Sequence, residues 1–212
     1  MPRTLVPNRT ADHSRRRLFT TATTLLLAPA IIGTVLLGAA PALAASPAAR
    51  QADKPAELKL AVVEFTPEAE ASRMTHEAKR HLQASLAQAL FNSQRFRVVD
   101  VKWTREASRA DLDRINRGPS TSEAVRLGRQ LGVSYVLTGS VVTYEPKGAD
   151  GHGRATLKIR LVEVATGKVR YAGETVQRSA GAMRTDGVAE MHTVVLKPAI
   201  QALTATLEGV TL

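Results

Sequence analysis

The stretch "YVLTGSVVTYE", Tyr135–Glu145, decides the fold, because it is apolar and β-branched along its length and carries Gly139-Ser140 in its middle. A nucleophile elbow would need Gly-x-Ser-x-Gly on a sharp strand-to-helix turn, with a histidine base at hand. Here the β-rich run continues through Val141, Val142 and Tyr144, so no turn exposes Ser140. The segment reads as a buried strand, and Gly139 marks a bulge or a close contact with a neighbouring helix.

Downstream, "RATLKIRLVEV" alternates Ala155, Leu157, Ile159 and Leu161 with Thr156, Lys158 and Arg160, and "ATGK" turns the chain into "KVRYAGETV". These are hairpin signals, which predict an antiparallel meander. Period-two alternation puts Leu157, Ile159 and Leu161 on one buried face and points Lys158 and Arg160 away from it. Upstream, "STSEAVRLGRQLG" reads as a helix. Ser120 and Glu123 form a capping box, Ala124, Leu127 and Leu131 share a face, and Gly132 is a left-handed cap. Gly128 on that face lets the helix approach the sheet closely.

Further out, "LKLAVVEF" (58–65) reads as a strand buried on both faces. "TPEAEASRM" supplies a helix start, with Thr66 as N-cap, Pro67 at the first helical position, and Glu68 and Glu70 near the positive end of the dipole. Met74, Ala78, Leu82, Leu86, Ala89 and Leu90 then form a helical stripe. "RFRVVDV" is a second strand. A short helix over 105–115 is stopped by "RGPS", and a final helix over 188–207 is broken or kinked near Pro198. The fold class is therefore α/β (α+β). A single domain, 58–212, holds a mixed, largely antiparallel sheet of about four or five strands flanked by helices.

Before that domain, "SRRRLFTTATTLLLAPAIIGTVLLGAAPALA" has a basic cluster (Arg15, Arg16, Arg17), an apolar stretch and the small-x-small triplet Ala42-Leu43-Ala44. These are the parts of a secretory signal in their proper order, with cleavage expected between Ala44 and Ala45. The Arg-rich start also resembles the twin-arginine export motif. An uncleaved anchor is the alternative, since residues 18–44 exceed the roughly 20 apolar residues that span a bilayer; Pro41 argues against it. Residues 45–57 read as a flexible leader. The expected product is exported, periplasmic and soluble, without a transmembrane segment once the signal is removed.

Composition narrows the chemistry. The 212 residues include no cysteine, which excludes disulfides, thiolate catalysis, sulfur metal sites and a lipidated cysteine. Five of the 29 basic residues and one of the 19 acidic residues precede Ala45, leaving 24 against 18, a balance of +6. The basic residues are dispersed, so nucleic acid is not an expected partner.

Each candidate site can be tested on spacing. "HEAKRH" (76–81) departs from the zinc-peptidase motif, because His76 and His81 lie about 140° apart round a helix instead of on one face. "DLDRIN" (111–116) starts like a calcium loop, but Ile115 stands where an oxygen ligand is required, and the segment reads as an ordinary helix surface. "GADGHG" joins two strands instead of opening a helix, so it reads as a flexible hairpin loop and not a phosphate cradle. No catalytic residue, metal site or cofactor is expected. Lys158, Arg160, Lys168 and Arg170 form a basic patch on the outer face of one hairpin, which is either a partner site or a solvated face.

"LAVVEF", "FRVVD", "AVRLGRQLGVSYVLTGSV" and "LKIRLVEVATGKV" together resemble the domain shared by the curli-secretion CsgG family and the LpoB-type activators of penicillin-binding proteins. The resemblance covers about residues 58–208. It implies a non-enzymatic envelope accessory protein that docks on and regulates a peptidoglycan-synthase-type partner. The alternative it implies is a structural component of a curli or surface-fibre secretion assembly, with homo-oligomers open to either. The channel relatives imply two membrane-spanning hairpins. The corresponding intervals here, 146–153 and 180–187, are eight residues each, whereas one spanning strand alone takes about 9 to 11.

Overall fold

The computed structural model describes residues 58–212. The export signal, the Ala44/Ala45 cleavage point and the leader lie outside the described residues. The element order is β1 (Leu58–Val62), β2 (Thr66–Pro67), α1 (His76–Asn92), β3 (Phe96–Val98), α2 (Val101–Ser108), α3 (Leu112–Arg117), α4 (Ser122–Leu131), β4 (Tyr135–Glu145), β5 (Arg154–Glu163), β6 (Val169–Arg178), α5 (Val188–Met191) and α6 (Lys197–Gly209).

One mixed sheet runs β3-β1-β4-β5-β6, with β2 added beside β4. β1 pairs in parallel with β3 and β4, while β4, β5 and β6 form the predicted antiparallel meander. β4 is the spine. Its first half lies beside β1, with Leu60 opposite Tyr135, and its second half lies beside β2, with Thr66 opposite Ser140.

The sheet is buried by two different layers. On one face Leu60, Val62, Leu137, Leu157, Ile159 and Leu161 meet α1 and the C-terminal helices through Leu82, Leu86, Leu90, Leu196, Leu203 and Leu207. On the other face Ala61, Val63, Val136 and Val162 meet α3 and α4 through Ile115, Ala124 and Leu127. The apolar run 58–65 thus serves both cores, as its pattern predicted. Gly128 makes the second layer possible: a Cβ there would stand 2.3 Å from Val164 Cγ2 and 2.9 Å from Val136 Cγ2. Gly132 closes α4 with φ 64°, and its N–H and that of Val133 satisfy the carbonyls of Arg129 and Gly128.

Several local expectations are corrected. Thr66 and Pro67 are not a helix start. The sheet claims this backbone, since Val63 N–H donates to Leu137 O and Glu68 N–H to Val141 O. The helix begins only after Thr75, whose Oγ1 accepts from Ala78 N–H. The short helix starts earlier than predicted, at Val101, because Asp100 caps it by accepting from Lys102 N–H. A 3-10 turn, Arg109–Asp111, then separates α2 from α3. The Ser120–Glu123 box does not form. Thr121 is the N-cap position and its hydroxyl donates instead to Gly167 O in the β5–β6 turn. The C-terminal helix is widened and not broken. Residues His192–Leu196 form a π turn, and Lys197 N–H reaches back to His192 O just before Pro198, which has no N–H to donate.

Candidate functional site

The open ground of the fold is the second face of the sheet beyond α3, along β5 and β6 beside the buried middle of β4. Three cross-strand partners define it: Ser140 opposite Lys158, and Lys158 opposite Glu174. Together with Glu68, Asn116, Arg117, Gly139, Arg160, Ala172 and Gly173 they line a shallow depression of about 520 Å³.

Ser140 is a buried strand residue. Its hydroxyl donates to Glu68 Oε1 at 2.6 Å, and a carboxylate on a loop without a histidine cannot activate it for acyl transfer. Gly139 does mark a close contact, but with Phe65 and β5 instead of a helix. A Cβ there would lie 2.3 Å from Phe65 Cε1 and 2.4 Å from Lys158 O. The bulge of β4 falls later, between Val141 and Thr143.

The segment 111–116, expected as helix surface, instead anchors this face. Asn116 is buried; its Nδ2 donates to Glu64 O at 2.7 Å and to Thr66 Oγ1 at 2.9 Å, and its Oδ1 accepts from Gly139 N–H at 3.0 Å. It supplies the hydrogen bonds missing where the chain leaves β1 and has not yet reached β2. Asp111, also buried, holds Arg114 and Arg126.

The four basic residues do not form the expected common patch: Lys158 and Arg160 stand opposite Glu174 and Ala172, whereas Lys168 and Arg170 lie past the register shift, beside Glu163 at the turn end of the hairpin. Arg160 is committed: Nη1 donates to Gly118 O at 2.8 Å, and Nη2 donates to Ile115 O at 2.8 Å and Asn116 O at 3.1 Å. It satisfies the last carbonyls of α3, where a cation is favoured. Arg170 Nη2 donates to Glu163 Oε1 at 2.9 Å. That bond, with the Thr166 hydroxyl, lowers the Glu163 pKa. Lys158 and Lys168 are exposed.

A second crevice, of about 510 Å³, was not legible beforehand. It lies between α1 and α2 and is lined by His76, Arg80, Lys102, Arg105 and Arg109, with Glu64 and Glu106 among them. The chain leaves neighbouring strands β1 and β3 here toward opposite faces of the sheet, the topology that opens a crevice at strand ends. Trp103, the one tryptophan of the chain, is 65% exposed on α2. The spacing of Lys102, Arg105 and Arg109 was the available signal, but it mattered only once the helix was known to start at Val101.

His76 and His81 are both exposed on α1, and His81 meets Glu77 at 3.9 Å. The glycine-rich β4–β5 loop is tied by Asp150, which pairs with Arg154 and Arg178, and by Gly153 N–H donating to Ser179 Oγ. Two serine–histidine contacts exist among the described residues, Ser85 with His192 and Ser179 with His152. The Ser179 hydroxyl donates to Gly181 O, and neither imidazole is hydrogen-bonded to a carboxylate among the described residues. Among those residues no group of His, Asp and Glu is placed to hold a metal ion, and no helix is long and apolar enough to cross a membrane.

The model of the peptidoglycan-synthase activator LpoB family matches residues 74–176, just under half of the chain, and over that span the chain is similar to the family. No curated protein matches the chain. Among solved structures, lipoprotein GNA1162 of Neisseria meningitidis is 17% identical with a TM-score of 0.48, over 71% of this chain and 98% of that one. The PelC dodecamer of Paraburkholderia phytofirmans is 20% identical with a TM-score of 0.44, over 70% and 88%. The C-terminal domain of LpoB from Escherichia coli is 22% identical with a TM-score of 0.40, over 56% and 81%. The curli-secretion side of the resemblance finds no support in these comparisons.

Proposed function

We propose that this chain is a non-enzymatic accessory protein of the cell envelope, exported to the periplasm, that docks on a peptidoglycan-synthase-type enzyme and raises its activity. The observation that carries the reading is the match of residues 74–176 to the activator family model, which takes in most of the sheet and helices α1 to α4. The site chemistry supports it. Ser140 faces a carboxylate, and the polar side chains around it tie elements together. Regulation of this kind works by binding one conformation of the partner better than another.

The docking contacts in this reading are made by the β5–β6 hairpin through its two exposed lysines, Lys158 in mid-strand and Lys168 at the turn, with Arg160 and Arg170 holding the surrounding backbone and Glu163 in place. The test is a binding titration of the purified synthase with the protein, read alongside glycan polymerisation. Lys158→Glu with Lys168→Glu should weaken binding by about tenfold and flatten its salt dependence, with melting nearly unchanged because exposed charges contribute little. Wild-type protein that neither binds nor stimulates any envelope synthase refutes the function. Normal binding by the double variant refutes only the face.

A further inference from the structure

The C-terminal ends of β1 and β3 carry charges that the fold leaves unneutralised. The two strands run in parallel, with Leu60 opposite Val98. The chain then leaves β1 for the layer of α1, and leaves β3, by way of α2, for the layer of α3 and α4. Ligands of parallel sheets bind outside the strand ends where neighbouring connections part in this way. The crevice there holds about 510 Å³, within the roughly 300 to 1,000 Å³ of small-molecule sites. Arg80 comes to it from α1, Lys102, Arg105 and Arg109 come from α2 and its end, and Glu64 and Glu106 share the lining.

These cations are unlike those of other surfaces. Arg114, Arg117, Arg126, Arg154, Arg170 and Arg178 each meet a carboxylate. Arg80, Lys102, Arg105 and Arg109 meet none among the described residues, although two carboxylates stand in the same crevice. Arg105 is half-buried, and its Nε donates to Val101 O at 3.4 Å. That bond holds the guanidinium by its back edge and leaves both terminal nitrogens without an acceptor among the described residues. Lys102 stands at the second position of α2, where the helix dipole disfavours a cation.

We propose that this crevice binds the phosphate monoester of a small hydroxylated molecule, of the sugar phosphate class. Four cations against two carboxylates leave a charge of +2, and a phosphate monoester is a dianion above its second pKa of about 6. The guanidinium groups supply planar sets of donors and the lysine a point charge, a combination suited to phosphoryl oxygens. His76, the first residue of α1, lines the same crevice, so the positive end of that helix adds to the field. The space exceeds what a bare phosphate needs. Glu64 and Glu106 set the selectivity, because they repel anions of higher charge and accept hydrogen bonds from hydroxyl groups of the esterified part. The site lies on the β3–β1 side of the sheet, apart from the β5–β6 hairpin. It does not depend on the synthase reading, and either stands if the other fails.

The test is calorimetric titration of the purified full chain, well above the second phosphate pKa, with glucose 1-phosphate and glycerol 3-phosphate. Inorganic phosphate and glucose serve as reference probes. At least one ester should bind with a dissociation constant below about 1 mM and more tightly than inorganic phosphate, and glucose should not bind. Arg105→Ala with Arg109→Ala should weaken that binding about tenfold or more. Arg129→Ala removes the same kind of charge from the exposed surface of α4 and should leave it unchanged. Glu64→Gln with Glu106→Gln, at unchanged melting temperature, should bind inorganic phosphate more tightly and lose the preference for the ester. A wild-type chain that binds neither ester overturns the proposal. So does a folded Arg105 and Arg109 double variant that binds normally, or an equal loss in Arg129→Ala. Retention on phosphatidylcholine vesicles containing phosphatidic acid, without binding of either soluble ester, would make this a membrane contact and overturns it as well.

Discussion

Neighbouring residues Gly139 and Ser140 have opposite tolerances, although both sit in the middle of the same strand. Gly139 has Phe65 on one side and the backbone oxygen of Lys158 on the other, and a backbone atom in a paired strand cannot move aside. Gly139→Ala should lose about 1 to 3 kcal/mol or more through overpacking, read by chemical denaturation. Ser140 spends its hydroxyl on Glu68 alone. Ser140→Ala should lose about 0.5 to 1.5 kcal/mol and leave partner activation intact. Loss of function in a folded Ser140→Ala protein would reinstate the serine as a chemical group.

Adjacent residues of β5 serve different layers, which is the element-scale consequence of a sheet covered on both faces. Ile159 is buried against the C-terminal helices, and Ile159→Ala should lose about 2 to 5 kcal/mol. Arg160 points the other way but holds three carbonyls at the end of α3. Arg160→Ala should lose about 1.5 to 3 kcal/mol, the range of hydrogen bonds to a charged group. Lys158→Ala should change the melting temperature little. Equal melting of the Arg160 and Lys158 variants would show that the α3 contact is not formed in solution.

Across the whole molecule, the C-terminal helix closes the first core against α1, and His192 sits in that seam. Its Nε2 lies 2.7 Å from Ser85 Oγ, its ring is 5.9 Å from that of His81, and Lys197 is close by. Burial, helped by the positive charges of His81 and Lys197, lowers its pKa below the ordinary 6.5. The unfolded chain therefore takes up a proton that the folded chain resists. The stabilising effect is complete above about pH 6.5 and is lost as pH falls through the lowered folded value. Melting temperature should drop on acidification through this window, and His192→Gln should reduce the slope. An unchanged slope in the variant would remove His192 from the account.

What the sequence determined by itself was what nearest neighbours along the chain control. The alternation in β5, the β-branched run of β4, the doubly apolar run at 58–65, the small residue at Gly128 and the left-handed Gly132 are local constraints, and each held. The elements that differed are those whose partners lie far away in sequence. Thr66 and Pro67 suit a helix start by propensity, yet the open hydrogen bonds of β4 draw them into the sheet. Asn116 reads as helix surface until the gap between β1 and β2 is formed, 50 residues from Thr66 along the chain. Arg160 reads as exposed because alternation distinguishes two faces of a strand but not whether a second layer covers the far one. Tertiary structure decided these positions because unpaired backbone groups must be satisfied by whatever the fold brings near, and that information is absent from any short window of sequence.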